Sequence, residues 1–322
     1  MKRKTKYLIR FFAFLVLILS LVMSSSYMLA PKDNTKQSGI INPNANGFYS
    51  EPKNSIEVAV IGNSDAYSGF SPMELWNNYG YTSYVSGEGR QTVAQAYEML
   101  TNLLKNQKPQ VIILETDEFF TKSNFFDSAY SFFNATFGAP FSVFKYHNRW
   151  KTVKLNELLK KPQYTAHCVS KGQFLSNDVK PYRGKEYMIK TDKKAVITMS
   201  TKKYIETFVK TCRDNNVDVL FLELPSQSSW NYEKHNAVNE LAGKLGVSFI
   251  DMNIELNKIG FNWETDSRDG GDHLNNRGAR KCTVFMGEYL KRNYNLEDRR
   301  GQVKYKQWDE DYKSYLKIVK IR

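Results

Sequence analysis

Five short apolar runs recur along the chain: "IEVAVIG" (56–62), "YTSYVS" (81–86), "PQVIILET" (109–116), "VDVLFLELP" (217–225) and "VSFIDMN" (247–253). They are near-continuous rather than alternating, as expected of strands buried on both faces. Between and after them lie stretches with helical spacing: "SPMELWNNYG", "QTVAQAYEMLTNLLKNQ", "STKKYIETFVKTCRDNN", "YEKHNAVNELAGKLG" and "NNRGARKCTVFMGEYLKRNY". The first has a Ser-Pro start, a Glu three residues after Ser71 and a terminal Gly80, which are helix start and stop signals. Apolar runs alternating with amphipathic helices over short connections specify an α/β fold, a parallel sheet covered by helices on both sides.

The segments outside this rhythm set the domain organisation. Residues 1–30 carry "MKRKTK" followed by "YLIRFFAFLVLILSLVMSSSYMLA", an apolar stretch of the roughly 20 residues that a bilayer core requires. Cations before the span and few after it place the N-terminus in the cytoplasm and the body outside, a single-pass cell-membrane protein with an extracellular folded domain. An uncleaved anchor is favoured over a cleaved signal peptide, because the apolar region is long and Met28 and Ala30 make a poor cleavage site. Residues 31–54, rich in Pro, Asn, Gly and Ser, read as a polar tether. Residues 55–120 and 201–296 form the α/β core, 121–200 an aromatic-rich insertion or lid, and 297–322 a basic, aromatic tail. That tail is either a surface helix or two, a contact for membrane or anionic polymer, or a solvated extension.

The net charge of +13 would admit nucleic acid as a partner, but export of the body excludes it. Cys168, Cys212 and Cys282 are odd in number and widely spaced, which indicates neither a zinc site nor a disulfide framework and reads as buried apolar residues.

Two polar clusters are expected at the carboxyl edge of the sheet. "IGNSDAYSGFSP" (61–72) puts Ser64 on a turn directly after the first strand, and "DSRDGGDHLNNRGARK" (266–281) crowds Asp266, Asp269, Asp272 and His273 around two glycines before the last helix. Only four histidines exist in the chain, so one among carboxylates is informative. A serine hydroxyl is a weak nucleophile and needs a base in hydrogen-bond reach. An imidazole suits that task when a carboxylate on its other nitrogen fixes the tautomer. Ser64 alone, or His273 alone, is weak evidence; the pair at matching ends of an α/β chain outweighs an ordinary turn and a structural histidine.

"VIGNSDAYSGFSP", "SGEGRQT", "VIILETDEFF" and "DHLNNRGARK" resemble the successive blocks of the SGNH/GDSL hydrolase superfamily. The nearest subgroup comprises membrane-anchored surface proteins of low-GC Gram-positive bacteria; the teichoic-acid D-alanylation and alginate O-acetylation proteins are more distant. The resemblance covers roughly residues 55–120 and 200–290. It implies a three-layer flavodoxin-like fold, here with the inserted region and the transmembrane helix, and no cofactor or metal.

Carried over by position, Ser64 is the nucleophile and its backbone N–H one oxyanion donor, with Gly87 or Gly89 as the second-block glycine. The third block departs: Asp117 stands where the superfamily has Asn, and an ionised Asp cannot donate to an oxyanion. Asp117 is therefore protonated, or binds substrate, or is replaced by a neighbour, for which Gln91 is the candidate. The fourth block departs too, since Gly270 occupies the Asp position of D-x-x-H; Asp269 is favoured as the orienting acid, with Asp272 in a structural role the close alternative. Ser226, after the fourth strand, is either a substrate contact or an ordinary loop residue. His147, Arg149 and Trp150 suit a sugar or phosphate in a lid, although a structural lid is the plainer expectation. His167 and His235 read as ordinary surface or core residues.

The resemblance implies an O-acyl esterase or O-acyltransferase acting on surface polysaccharide, teichoic acid or lipid-linked glycan through an acyl-enzyme on Ser64. A membrane-bound O-acyltransferase is the implied partner. The alternative is a non-catalytic glycan-binding protein with a degenerate site. Phosphodiester chemistry would want a metal cluster that the spacing does not offer.

Overall fold

A computed structural model describes residues 3–122, 124–137 and 141–320. The "GAP" of the insertion (138–140) and the terminal charges at Lys2 and Arg322 lie outside them. The core is a five-stranded, wholly parallel sheet in the order β2-β1-β3-β4-β5. Its strands are β1 (Val58–Gly62), β2 (Ser83–Gly87), β3 (Val111–Glu115), β4 (Asp218–Glu223) and β5 (Ser248–Asp251). This is the flavodoxin-like winding, which reverses direction between β1 and β3 and leaves a crevice at the carboxyl ends of those two strands. Register brings Gly62 level with Gly87, and Ile61 level with Leu114.

Helices cover both faces. On one side α4 (Val93–Leu104), α7 (Met199–Asp214) and α8 (Tyr232–Leu245) bury Leu100, Phe208 and Val238 against Ile61, Ile112 and Phe221. On the other, α3 (Pro72–Tyr79) and α10 (Asn276–Asn293) pack Leu75, Cys282 and Met286 on Val58, Val60 and Ile113. Local signals match these boundaries: Thr92 and Gln95 close a reciprocal capping box on α4, and Gly80 ends α3 in the left-handed region at φ +73°. Cys212 and Cys282 are buried and all three cysteines are free.

α1 (Arg3–Leu29) is long and apolar enough to cross a membrane. Its foot does not hang free. Ser26 Oγ accepts from the N–H of Val143 at 3.1 Å beside α6 (Ser142–Tyr146), and Arg149 donates to the Leu29 carbonyl at 2.6 Å. Arg149 is buried in that clamp, so it is a structural tie to α1 and not a ligand-facing lid residue.

Residues 31–54 are packed rather than tethering. Phe48 and Ala45 are buried in the core, and Tyr84 Oη donates to the Asn44 carbonyl at 2.7 Å. Two apolar side chains in a polar stretch suffice to hold it against β2. The C-terminal tail likewise docks: α11 (Lys306–Val319) buries Trp308, Tyr315 and Val319 against Met73 and Trp76 of α3. In the insertion, α5 (Phe125–Phe137) lies along α4, and later residues run in extended form past the His273 loop, where Lys180 N–H donates to Ser267 O at 3.0 Å.

Candidate active site

The turn after β1 has little freedom. A Cβ on Gly62 would strike Glu115 and Ala66, and one on Gly87 would sit 2.8 Å from Gly62 O and 3.0 Å from Asn63 O. Gly87 is thus the glycine that close backbone approach demands; Gly89, with only Tyr67 Oη at 3.7 Å, is under no such constraint. Asn63 caps a six-residue helix, α2 (Ser64–Gly69), its side chain accepting from Asp65 N–H at 2.7 Å. Ser64 therefore opens a helix, and its backbone N–H is one that the helix leaves without an acceptor. Tyr67, on the same short helix as Ser64, has its phenol pushed above its usual value, chiefly by burial and against the opposing pull of Arg268 and of the neighbouring Ser64.

Beneath this turn, Glu115 ends β3 and ties the two central strand exits together. Its carboxyl accepts from Asp117 N–H at 2.7 Å and from Asn63 N–H at 3.5 Å. Burial and the neighbouring Asp117 push it up to about 8, against the pull of those N–H groups and Lys234. Asp65 is also raised, by burial first and then by Glu115, Asp117, Asp272 and Asp269, which shows both polar clusters acting on one buried carboxyl.

Asp117 has specific partners. Lys234 Nζ donates to its Oδ1 at 2.8 Å, and Asn63 Nδ2 to its Oδ2 at 3.1 Å. It is an acceptor that positions Asn63 and holds a cation beside the turn. Gln91 does not serve as the substitute donor. Its carboxamide is buried, donating to Glu118 at 3.3 Å and accepting from Glu88 N–H at 3.1 Å, so the loop consumes it. Ser226 is likewise spent on structure, its buried hydroxyl donating to the Asp272 carbonyl at 3.0 Å.

The His273 loop is shaped by Gly270 and Gly271, at φ +92° and +104°, with Ser267 Oγ accepting both of their N–H groups. Asp269 then reaches His273 twice. Its Oδ1 accepts the backbone N–H at 2.8 Å, and its Oδ2 lies 2.6 Å from Nδ1; Asp272 Oδ2 is farther, at 3.4 Å. Burial works to raise Asp269, but the backbone and ring hydrogen bonds of His273 and the charge of Arg268 outweigh it, so the net shift is downward. A carboxylate on Nδ1 leaves Nε2 as the nitrogen able to take a proton.

The two clusters meet along the edge. Ser229 Oγ approaches Asp65 Oδ2 at 3.5 Å and Ser226 Oγ at 2.9 Å, and Ser226 reaches Asp272. Among the described residues no hydrogen bond joins the Ser64 hydroxyl to the His273 ring; such contacts are often long until a substrate closes them. Arg268 lies between, its guanidinium 4.4 Å from the Phe174 ring centroid and Nε 3.7 Å from Asp269, with a buried Nη1 that has no hydrogen-bond partner. Asp269, Asp272 and His273 also place ligand atoms within 4.8 Å of one another, close enough to share a cation, a grouping that spacing alone did not suggest.

Sequence reasoning missed Tyr67, Lys234 and Arg268. Arg268 stood next to Asp269 in the glycine-rich string and could have been weighed there. Lys234 carried no local signal, because its partner is 117 residues away.

No family model and no curated protein matches the chain. Solved structures similar to it include a lipase/acylhydrolase from Enterococcus faecalis, at 10% identity and TM-score 0.40, covering 75% of this chain and 99% of that one. A GDSL-like lipase from Bacteroides thetaiotaomicron is similar at 10% identity and TM-score 0.35, covering 80% and 94%. A catalytic mutant of an acetylxylan esterase from Geobacillus stearothermophilus is similar at 10% identity and TM-score 0.37, covering 78% and 99%. Likenesses this loose leave function to the geometry of the site.

Proposed function

We propose that the chain is a membrane-anchored SGNH-type serine enzyme that cleaves or transfers O-acyl esters of cell-surface glycan or teichoic acid outside the cytoplasm. One observation carries it: Asp269 holds His273 by both backbone and ring, at 2.8 and 2.6 Å, on the sheet edge where Ser64 opens α2. Ser64 Oγ attacks the acyl carbonyl as its proton passes to His273 Nε2, and Asp269 stabilises the imidazolium that forms. The Ser64 N–H donates to the oxyanion, with Lys234 and Arg268 supplying positive charge nearby. His273 then returns the proton to the leaving oxygen, giving an acyl-enzyme. Water as acceptor makes an esterase and a glycan hydroxyl a transferase; a membrane-bound O-acyltransferase would supply the acyl group in the second case.

The test is mass-spectrometric measurement of O-acyl groups on surface polymers from cells carrying the native chain or Ser64→Ala. More ester in the variant identifies an esterase and less a transferase. Unchanged ester together with unchanged glycan retention would favour a binding protein. The absence, among the described residues, of a hydrogen bond between the Ser64 hydroxyl and the His273 ring is the feature that favours that second reading.

A further inference from the structure

A large cavity lies away from Ser64, at the foot of the membrane helix. It measures about 1200 Å³, above the roughly 300–1,000 Å³ usual for small-molecule sites. Four helices wall it: α1 through Met23 and Tyr27, α4 through its outer face, and α5 and α6 through their aromatic side chains. The walls are fixed to one another. Ser142 Oγ donates to Ser26 O at 3.0 Å, Val143 N–H to Ser26 Oγ, and Tyr27 Oη to Lys160 O at 3.2 Å.

The lining is graded. Toward α1 it is apolar, with Phe144 61% and Met23 50% exposed where the helix would leave the bilayer. Toward the sheet it becomes polar, through Gln95 and Glu98 of α4 and Glu88 and Lys145 across from them. Glu98 is raised chiefly by burial, opposed by Lys145, and Lys145 pairs with Glu88 at 3.9 Å. Cations and carboxyls at this end offset each other, so it offers hydrogen bonds without a net field for phosphate. The polar end also adjoins the β2–α4 loop, whose Gly87 backs on to the turn of Ser64.

We propose that this cavity binds a membrane glycolipid, its acyl tail entering between α1 and α5–α6 and its uncharged sugar head lying against Glu88, Gln95 and Glu98. Continuity with the span selects the occupant: where α1 leaves the bilayer, acyl chains are the apolar material at hand, and the head must meet neutral donors and acceptors. Binding stands without the serine chemistry; only delivery of the head toward Ser64 rests on the proposed acyl transfer.

The experiment reconstitutes the full chain in phosphatidylcholine vesicles with a glucosyl diacylglycerol bearing a diazirine in one acyl chain, and maps crosslinks by mass spectrometry after irradiation. Labels are expected on peptides covering residues 126–136 and 141–146, in the native chain and equally in Ser64→Ala, which separates binding from catalysis. Unlabelled glycolipid competes and phosphatidylglycerol does not. Asn102→Trp, which fills the α4 wall, lowers labelling about tenfold, the effect of about 1.4 kcal/mol of affinity; Met99→Phe repeats the test if the tryptophan unfolds the chain. Labels confined to α1, equal competition by phosphatidylglycerol, or unchanged labelling in both folded variants would overturn the proposal.

Discussion

Two imidazole–carboxylate pairs, one at the start of α8 and one in the glycine loop before α10, have nearly the same geometry and different surroundings. His235 Nδ1 lies 2.8 Å from Asp251, and His273 Nδ1 lies 2.6 Å from Asp269. Asp251 also accepts from Trp230 Nε1 and from the backbone and side chain of Asn253, and the His235 ring is flanked by Tyr232 and Phe249 at 5.1 and 5.7 Å. No second face of that imidazole is left for a substrate. Among the described residues Asp269 serves only His273 and the nearby Arg268, on a loop opened by two left-handed glycines, and Nε2 makes no hydrogen bond. A histidine held by an aspartate is therefore a common structural device. What sets the second pair apart is the half-buried Ser64, the proposed nucleophile, at the same sheet edge.

The comparison breaks most readily on rate. His273→Ala is expected to lower hydrolysis of an acetyl ester by about 10³-fold or more, since units of such a site fail together. His235→Ala is expected to leave the rate within a few-fold and show its cost in the melting temperature. Equal rate losses in the two variants would erase the distinction. Next comes the acid: Asp269→Asn should cost about 10²–10⁴ in rate by releasing the ring tautomer, with little loss of stability, and Asp251→Asn the reverse, read by initial rates and thermal melts on the same samples.

A third imidazole, His167, sharpens the structural side. It lies 2.7 Å from Asp311 of α11, and the fully buried Lys171 bridges Asp311 and Glu51, 2.7 Å from each. Lys171→Met removes the cation that joins two buried carboxyls, leaving Asp311 only His167 and Gln307, and is expected to cost about 3–5 kcal/mol, seen in denaturant midpoints, without altering the rate per folded molecule. The smallest effect belongs to Glu115. Its ordinary value is 4.5 and its folded value about 8, so the folded chain holds the extra proton between them. Its contribution to stability is full below about 4.5 and is lost as pH rises through about 8, on the order of a few kcal/mol. Glu115→Gln should flatten that decline in denaturation curves taken from pH 5 to 9, whereas a slope identical to the native one would show another group to be responsible.

The parallel sheet was legible because strands buried on both faces have to be apolar throughout, as Val58–Gly62 and Val111–Glu115 are. The end of α3 was legible because Gly80 acts on its own neighbours, whereas the cap expected of Ser71 is absent because its hydroxyl turns to Tyr315 of distant α11. α2 was not, since six residues carry no period. The packed segment at 31–54 was hidden because its composition is polar and its anchorage depends on Phe48 and Ala45 meeting a distant strand. At the site, residue types were visible but not directions. Gln91 has the donor the oxyanion reading wanted, yet Glu118 and Glu88 claim it. The charge beside Asp117 comes from Lys234, which no local pattern connects to it.

The central claim, that Ser64 is a nucleophile served by His273 and Asp269, is met most directly by a fluorophosphonate probe. The native full-length chain should become covalently labelled, with the adduct on the peptide bearing Ser64. Labelling should vanish in Ser64→Ala, fall steeply in His273→Ala and persist in His235→Ala. Absence of labelling in the folded native chain, under conditions where a control esterase reacts, or an adduct on another serine, would contradict it.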